Sequence, residues 1–121
     1  MFTWEDFLSF ADRLQGSTDE AELRTAISRA YYAVHHSSKV FCTLRNMVHL
    51  TATGEDHREV IVALEKHKNP ILSKTGRKLK SLFGWRIKAD YSENLSVNLI
   101  AQCQYCVKEA HAIMSDLKSV R

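Results

Sequence analysis

The sequence predicts an all-α fold: an up-and-down bundle of four main helices plus a short one, spanning residues 1–121 as one domain. Three observations lead there. Apolar residues recur at the 3.6-residue helical period in successive stretches. The longest stretch, Arg24 to Val40, contains neither Gly nor Pro and is rich in good helix formers. The whole chain holds one Pro and four Gly, with no regularly spaced turn signals of the kind a β-sandwich needs. At 121 residues it can bury one substantial core and is too short for two.

A first helix is expected from about Trp4 to Gln15, with Thr3 as N-cap, Asp6 at N3, and Phe7, Phe10 or Ala11, and Leu14 facing inward. Gly16 ends it. Ser17 with Glu20 three residues later reads as a capping box, and Asp19, Glu20 and Glu22 suit the positive end of a helix dipole. The second helix is then expected to run to about His49 or Leu50, a length that makes it central. Its inner stripe is Leu23, Ile27, Ala30, Tyr31, Val34, Phe41, Leu44 and Val48. Arg29, Tyr32 and His36, spaced i, i+3, i+7, share the opposite side beside Ala33 and Val40, so this helix is expected to touch neighbours on both faces.

Thr51 to Asp56 reads as a loop. A short helix follows over about Asp56–Lys68 with Val60, Ile61 and Leu64 inward. Asn69-Pro70 breaks or restarts it, because proline disfavours helix in the preceding residue. The pattern Leu72, Leu79, Leu82, Phe83 predicts a helix over about 71–83, with Gly76 a weak point. Periodicity leaves Gly84 to Tyr91 undecided. Ser92-Glu93-Asn94 is a turn. The last helix is expected from near Ser96 to about Lys118 on the stripe Leu99, Cys103, Val107, Ala110, Met114, Leu117.

Charge is distributed unevenly. Residues 1–65 carry six Lys/Arg against ten Asp/Glu, and residues 89–121 carry three against four. Between them lie Lys66, Lys68, Lys74, Arg77, Lys78, Lys80, Arg86 and Lys88 with no acidic residue. Two readings fit: a solvated basic helix, or a patch for polyanions such as RNA, nucleotide phosphates or an acidic partner protein.

Several chemistries find little support. There is no Gly-rich phosphate loop and no nucleophile elbow. Cys103-x-x-Cys106 is a single pair in mid-helix with Cys103 on the apolar stripe, so core packing outweighs a zinc site, which needs four ligands. The histidines His35, His36, His49, His57, His67 and His111 include no i, i+4 pair with an intervening Glu. No metal or cofactor is expected. Three cysteines without paired spacing suit a reducing cytoplasm. No apolar run is long enough for a membrane span, and the acidic N-terminus lacks the basic start of a secretory signal.

Two places remain for a site: the Arg29, Tyr32, His36 face and the segment Trp85 to Tyr91. A buried Arg needs an anionic partner. One reading is an Arg29–Asp90 ion pair locking two helices. The other is a pocket in which Arg29 and Arg86 hold a phosphate while Tyr32, Trp85 or Tyr91 stack on a base.

Ser28-Arg29-Ala30-Tyr31-Tyr32-Ala33-Val34-His35-His36, with Arg86-x-x-Ala89-Asp90-Tyr91 some fifty residues on, resembles the HEPN family, in particular its small single-domain prokaryotic members. The resemblance extends over nearly the whole chain and implies a helical bundle that usually dimerises. It also implies a place in a toxin–antitoxin or defence module, frequently beside a nucleotidyltransferase partner, and in many members metal-independent RNase activity.

Those RNases use an Arg followed after four to six residues by a His. Here Arg86 is followed at four and five positions by Asp90 and Tyr91, and the next histidine is His111. RNA cleavage through the 2′-hydroxyl needs a proton-transfer group near neutral pH and a cation for the phosphorane. Arg86 can supply the cation, whereas Asp90 and Tyr91 have reference pKa values of about 3.9 and 10. Arg29 and His35 match the spacing by count, but lie in mid-helix about 120° apart.

Three functional readings follow. One is a module with a degenerate RNase motif that binds RNA, a nucleotide or a partner protein through the basic segment Lys66–Lys88 (Lys78, Lys80, Lys88) and the Arg29/Arg86 pocket with Tyr32 and Trp85. The second is an active RNase using Arg86 with Asp90, Tyr91 or His36. The third is a purely structural dimerisation domain. A homodimer is expected to bury the Tyr32, Ala33, His36 face or to join two Arg86–Tyr91 segments.

Overall fold

The computed structural model describes residues 1–49, 56–95 and 97–120. It is an all-helical bundle with no strand among the described residues: α1 (Glu5–Leu14), α2 (Glu20–Leu44), α3 (Asp56–Glu65), α4 (Pro70–Tyr91) and α5 (Leu99–Ser119). None of these helices is long and apolar enough to cross a membrane.

Local chemistry sets the helix ends. At α1 the N-cap is Trp4 rather than Thr3 and has no side-chain cap bond, while the Asp6 carboxylate accepts the Thr3 N–H at 3.0 Å. At α2 the N-cap is Asp19 rather than Ser17: its carboxylate accepts from the Ala21 and Glu22 N–H groups at 2.8 and 3.3 Å. Ser17 supports it from one step back, accepting the Asp19 N–H and donating to Glu22.

α2 stops at Leu44, short of the expected His49 or Leu50; Leu50 lies outside the described residues. Asn46 takes φ = 55°, and the Met47 and Asn46 N–H groups return to the carbonyls of Cys42 and Thr43. This is a Schellman ending with asparagine in the left-handed position that glycine usually fills. Of the expected loop 51–56, residues 51–55 lie outside the described residues, and Asp56 opens α3.

α3 ends at Glu65, three residues short of the expected Lys68. Asn69 caps α4 by accepting the Ile71 N–H at 2.8 Å, with Pro70 in the first helical turn. α4 then runs unbroken through Gly76 and Gly84 to Tyr91, which resolves the undecided segment as helix. Gly76 is there for proximity: a Cβ on it would lie 2.6 Å from the Glu65 backbone nitrogen, so only glycine lets α4 approach the end of α3 this closely. α5 begins at Leu99 behind Asn98, which accepts the Ala101 N–H; the expected start, Ser96, lies outside the described residues.

α2 is the central helix and packs on α1, α3, α4 and α5. Its expected stripe is buried except for Leu44, the exposed last residue of the helix, and Val48, which is partly buried against the core. Ala26, Ala33, His35, Ser38 and Cys42 are buried as well, so the helix is covered nearly all round. In α1, Leu8 and Ala11 are the buried residues, while Phe10 stays exposed. Cys103 and Cys106 are both fully buried core residues, and burial pushes their thiols up to about 11 and about 12, so they remain protonated.

The Arg86 cluster and the outer face of α4

Arg86 lies on the inner side of α4 and is only 8% exposed. Its guanidinium carbon sits 5.6, 5.4 and 5.2 Å from the ring centroids of Tyr31, Tyr32 and Phe83. One nitrogen is 3.7 Å from Asp90 Oδ2, one helical turn on, and Nε is buried without a hydrogen-bond partner. Ring faces and a single carboxylate therefore compensate the buried charge.

Asp90 also accepts from the Ser28 hydroxyl at 3.3 Å. It is thus the partner of Arg86, and the expected Arg29–Asp90 ion pair is not formed. The reason is register: Arg86 precedes Asp90 by four residues on the same helix, the natural spacing for a pair. Arg29 instead lies over the rings of Phe7 and Tyr32 at 4.8 and 5.1 Å. It still borders the cleft of about 410 Å³ between α2 and α4 that Ser28, Ala89 and Asp90 line. Two guanidinium groups thus share the Tyr32 ring.

The Tyr32, Ala33, His36 face is occupied within the chain. Ala33 is fully buried, and Trp4 stacks on His36 with centroids 3.8 Å apart and planes 16° apart. The N-terminal aromatics Phe2, Trp4 and Phe7 form an edge-packed cluster above it. α1 and the aromatics that precede it thus cover much of this face within the chain.

Behind Arg86 lies an array of imidazoles. The Tyr31 hydroxyl and His57 Nδ1, in the first turn of α3, are 2.5 Å apart. Burial drives the Tyr31 phenol well above its ordinary range, with Arg86 pulling it partly back, so the hydroxyl stays protonated. The His57 ring stacks on His35 at 4.1 Å and on Phe83 at 5.2 Å. His35 is pushed down to about 3, first by burial and then by His57, His36 and Lys39, with only Asp56 opposing. His36 is lowered too, chiefly by burial. Asp56 is buried and joined to Lys39 at 2.7 Å, a bond that holds its carboxylate below the usual range.

The remaining predicted site residues point elsewhere. Tyr91 is 74% exposed at the end of α4. Trp85 is half-buried about 100° around the helix from Arg86, with Lys88 Nζ 4.4 Å from its ring. It therefore does not share a pocket with Tyr32. Lys80 and Lys88 are exposed, and Lys78 pairs with Asp116 of α5 at 3.1 Å. Within α4 the exposed cations Lys74, Arg77, Lys80 and Lys88 lie about 120° to 180° around the helix from Arg86.

Sequence reasoning passed over Arg24, Tyr31, His35 and His57 as parts of this region. Arg24 donates to the carbonyls of Ala89, Ser92 and Glu93 at 3.0, 2.6 and 3.4 Å, closing the C-terminus of α4. Tyr31 reads as a core position and His35 only as a spacing match to Arg29, and His57 meets them only through tertiary packing. Among the described residues no three metal-ligating side chains converge. The chain matches no family model, no curated protein and no solved structure.

Proposed function

We propose that this chain is a HEPN-type module of a toxin–antitoxin or defence system that binds a polyanion, RNA foremost, and carries a degenerate RNase motif. The observation that carries this reading is the exposure of Lys66, Lys68, Lys74, Arg77, Lys80 and Lys88 along a segment with no acidic residue from 66 to 89. Cations held in solvent without carboxylate partners attract phosphates and release counterions on binding. The degenerate motif is supported by Arg86 being enclosed by three rings and tied to Asp90, with no histidine in the following turn. Homodimerisation through the Arg86–Tyr91 ends is supported by the exposed Ile87 and Tyr91 on that stretch. A nucleotidyltransferase-type partner and a cytoplasmic location belong to the same reading.

A second reading, an active metal-independent RNase, is favoured by one feature: Arg86 and the Tyr31–His57 hydrogen bond share the Phe83 floor. His57 then joins Asp90, Tyr91 and His36 as a proton-transfer group to weigh. One experiment separates the two. Purified protein is incubated with transfer RNA and single-stranded RNA in EDTA, and binding and cleavage are followed together. Binding without cleavage supports the first reading. Cleavage that Arg86→Ala abolishes supports the second, and neither binding nor cleavage at low salt refutes both.

A further inference from the structure

We infer that the outer face of α4 is a platform for single-stranded nucleic acid, on which one base stacks against Trp85 while flanking cations track the backbone. This rests on the polyanion reading above and names its ligand class and its central contact.

Lys74, Lys78, Ser81, Trp85 and Lys88 follow at i, i+4, i+7, i+11 and i+14, which puts them within about 80° of one another around the helix. Arg77 and Gly84 border that stripe on one side, and Lys80 lies about 40° further round. Of these cations Lys78 is already neutralised by Asp116, while Lys74, Arg77, Lys80 and Lys88 have no carboxylate partner among the described residues. Four open charges, three of them within about 80° of an aromatic ring around the helix, are the composition that single-strand sites use.

Trp85 is fixed for this task. It packs partly against the core, so its ring is oriented before any ligand arrives, and Lys88 leans on it at 4.4 Å. Beside it Gly84 presents bare backbone, with nothing within 4 Å of where a side chain would begin. A base stacking on the ring takes the place of the flexible Lys88 ammonium, which swings from the ring to a phosphate. Lys74 and Lys88 are fourteen residues apart, about 21 Å along the axis, the length of about six nucleotides at a 3.4 Å rise. A duplex hides its base faces in its own stack and uses only the charges. A single strand uses the charges and the ring.

The test uses the full chain, with fluorescence anisotropy of a labelled mixed-sequence RNA of about 12 nucleotides, single-stranded or as duplex, between 50 and 200 mM salt. The single strand is expected to bind at least about tenfold more tightly than the duplex, with a log–log salt slope of about 3 from four phosphate contacts. Trp85→Leu should weaken single-strand binding about 5- to 150-fold and leave the slope unchanged. Lys74→Gln, Arg77→Gln and Lys80→Gln together should lower the slope by about 2. In a Trp4→Phe background, quenching of the remaining tryptophan by added poly(U) reads Trp85 directly, and so serves where Trp85→Leu misfolds.

If the triple variant loses binding while Trp85→Leu binds normally and Trp85 is not quenched, the platform is refuted and the polyanion reading survives. Equal binding of duplex, or equal competition by poly-glutamate, refutes the platform in the same way. If the parent chain binds no RNA at 50 mM salt, both fall.

Discussion

His35 makes the stability of this protein depend on pH in a way that can be calculated. In the folded chain its imidazole is 3% exposed, stacked on His57, and pushed from 6.5 down to about 3. The groups that act on it are His57, His36 and Lys39, which disfavour its proton, and Asp56, which favours it. In the unfolded chain the ring titrates normally. Below pH 6.5 unfolding therefore takes up a proton that the folded state refuses. The contribution is intact above pH 6.5 and is lost progressively as pH falls toward 3, by about 1.4 kcal/mol per unit. Between pH 7.5 and 5 the loss from this residue is about 2 kcal/mol, a sizeable share of the 5–15 kcal/mol typical of a domain.

His36, lowered in the same direction, adds to the slope, whereas the Lys39-held carboxylate of Asp56 changes only in the acid range below that window. Urea denaturation followed by circular dichroism at pH 7.5, 6.5, 5.5 and 5.0 gives the measurement. His35→Phe keeps a ring in the stack and removes a buried Nδ1 that has no hydrogen-bond partner. Its stability at pH 7.5 should match the parent within about 1 kcal/mol, and its slope should fall by about one proton. A parent chain of constant stability from pH 7.5 to 5, or a variant with the parent's slope, refutes the reasoning.

Three further outcomes are expected. Gly76→Ala should destabilise by about 2–3 kcal/mol in denaturant titrations, since its methyl meets the Glu65 backbone, whereas Gly84→Ala should stabilise by about 0.5–1 kcal/mol because its Cβ meets nothing. Arg24→Ala should cost about 2 kcal/mol and expose the amides at the end of α4 to faster hydrogen exchange, as the carbonyls of Ala89, Ser92 and Glu93 lose their donor. Tyr31→Phe should cost about 1 kcal/mol in thermal unfolding and shift the His57 ring resonances, since the hydroxyl that bonds Nδ1 is gone.

What a residue does to its own helix was readable without coordinates. The inner stripe of α2, the Asn69-Pro70 start of α4 and the all-helical class follow from periodicity and capping, which act over three or four residues. Even there, local signals competed. Ser17 and Asp19 both resemble N-caps, and only the hydrogen bonds choose Asp19. Asn46 ends α2 through a left-handed turn that asparagine tolerates without advertising it as glycine would.

The site divides along the same line. Arg29, Tyr32, His36, Arg86, Asp90 and Trp85 were picked out as residue types that need explaining, but their partners are set by packing between helices. Charge attraction alone suggests Arg29 with Asp90. The i, i+4 spacing within α4 gives Asp90 to Arg86, and the approach of α4 to α2 adds Ser28 and leaves Arg29 to the rings of Phe7 and Tyr32. His57 joins Tyr31 from 26 residues away in the chain, a contact that no local spacing encodes. By itself the sequence determined the helices, the basic run and the absence of a histidine after Arg86. The tertiary structure decided that the basic run faces outward while Arg86 faces inward, because burying one guanidinium required rings and a carboxylate, and those lie on the inner side of α4 alone.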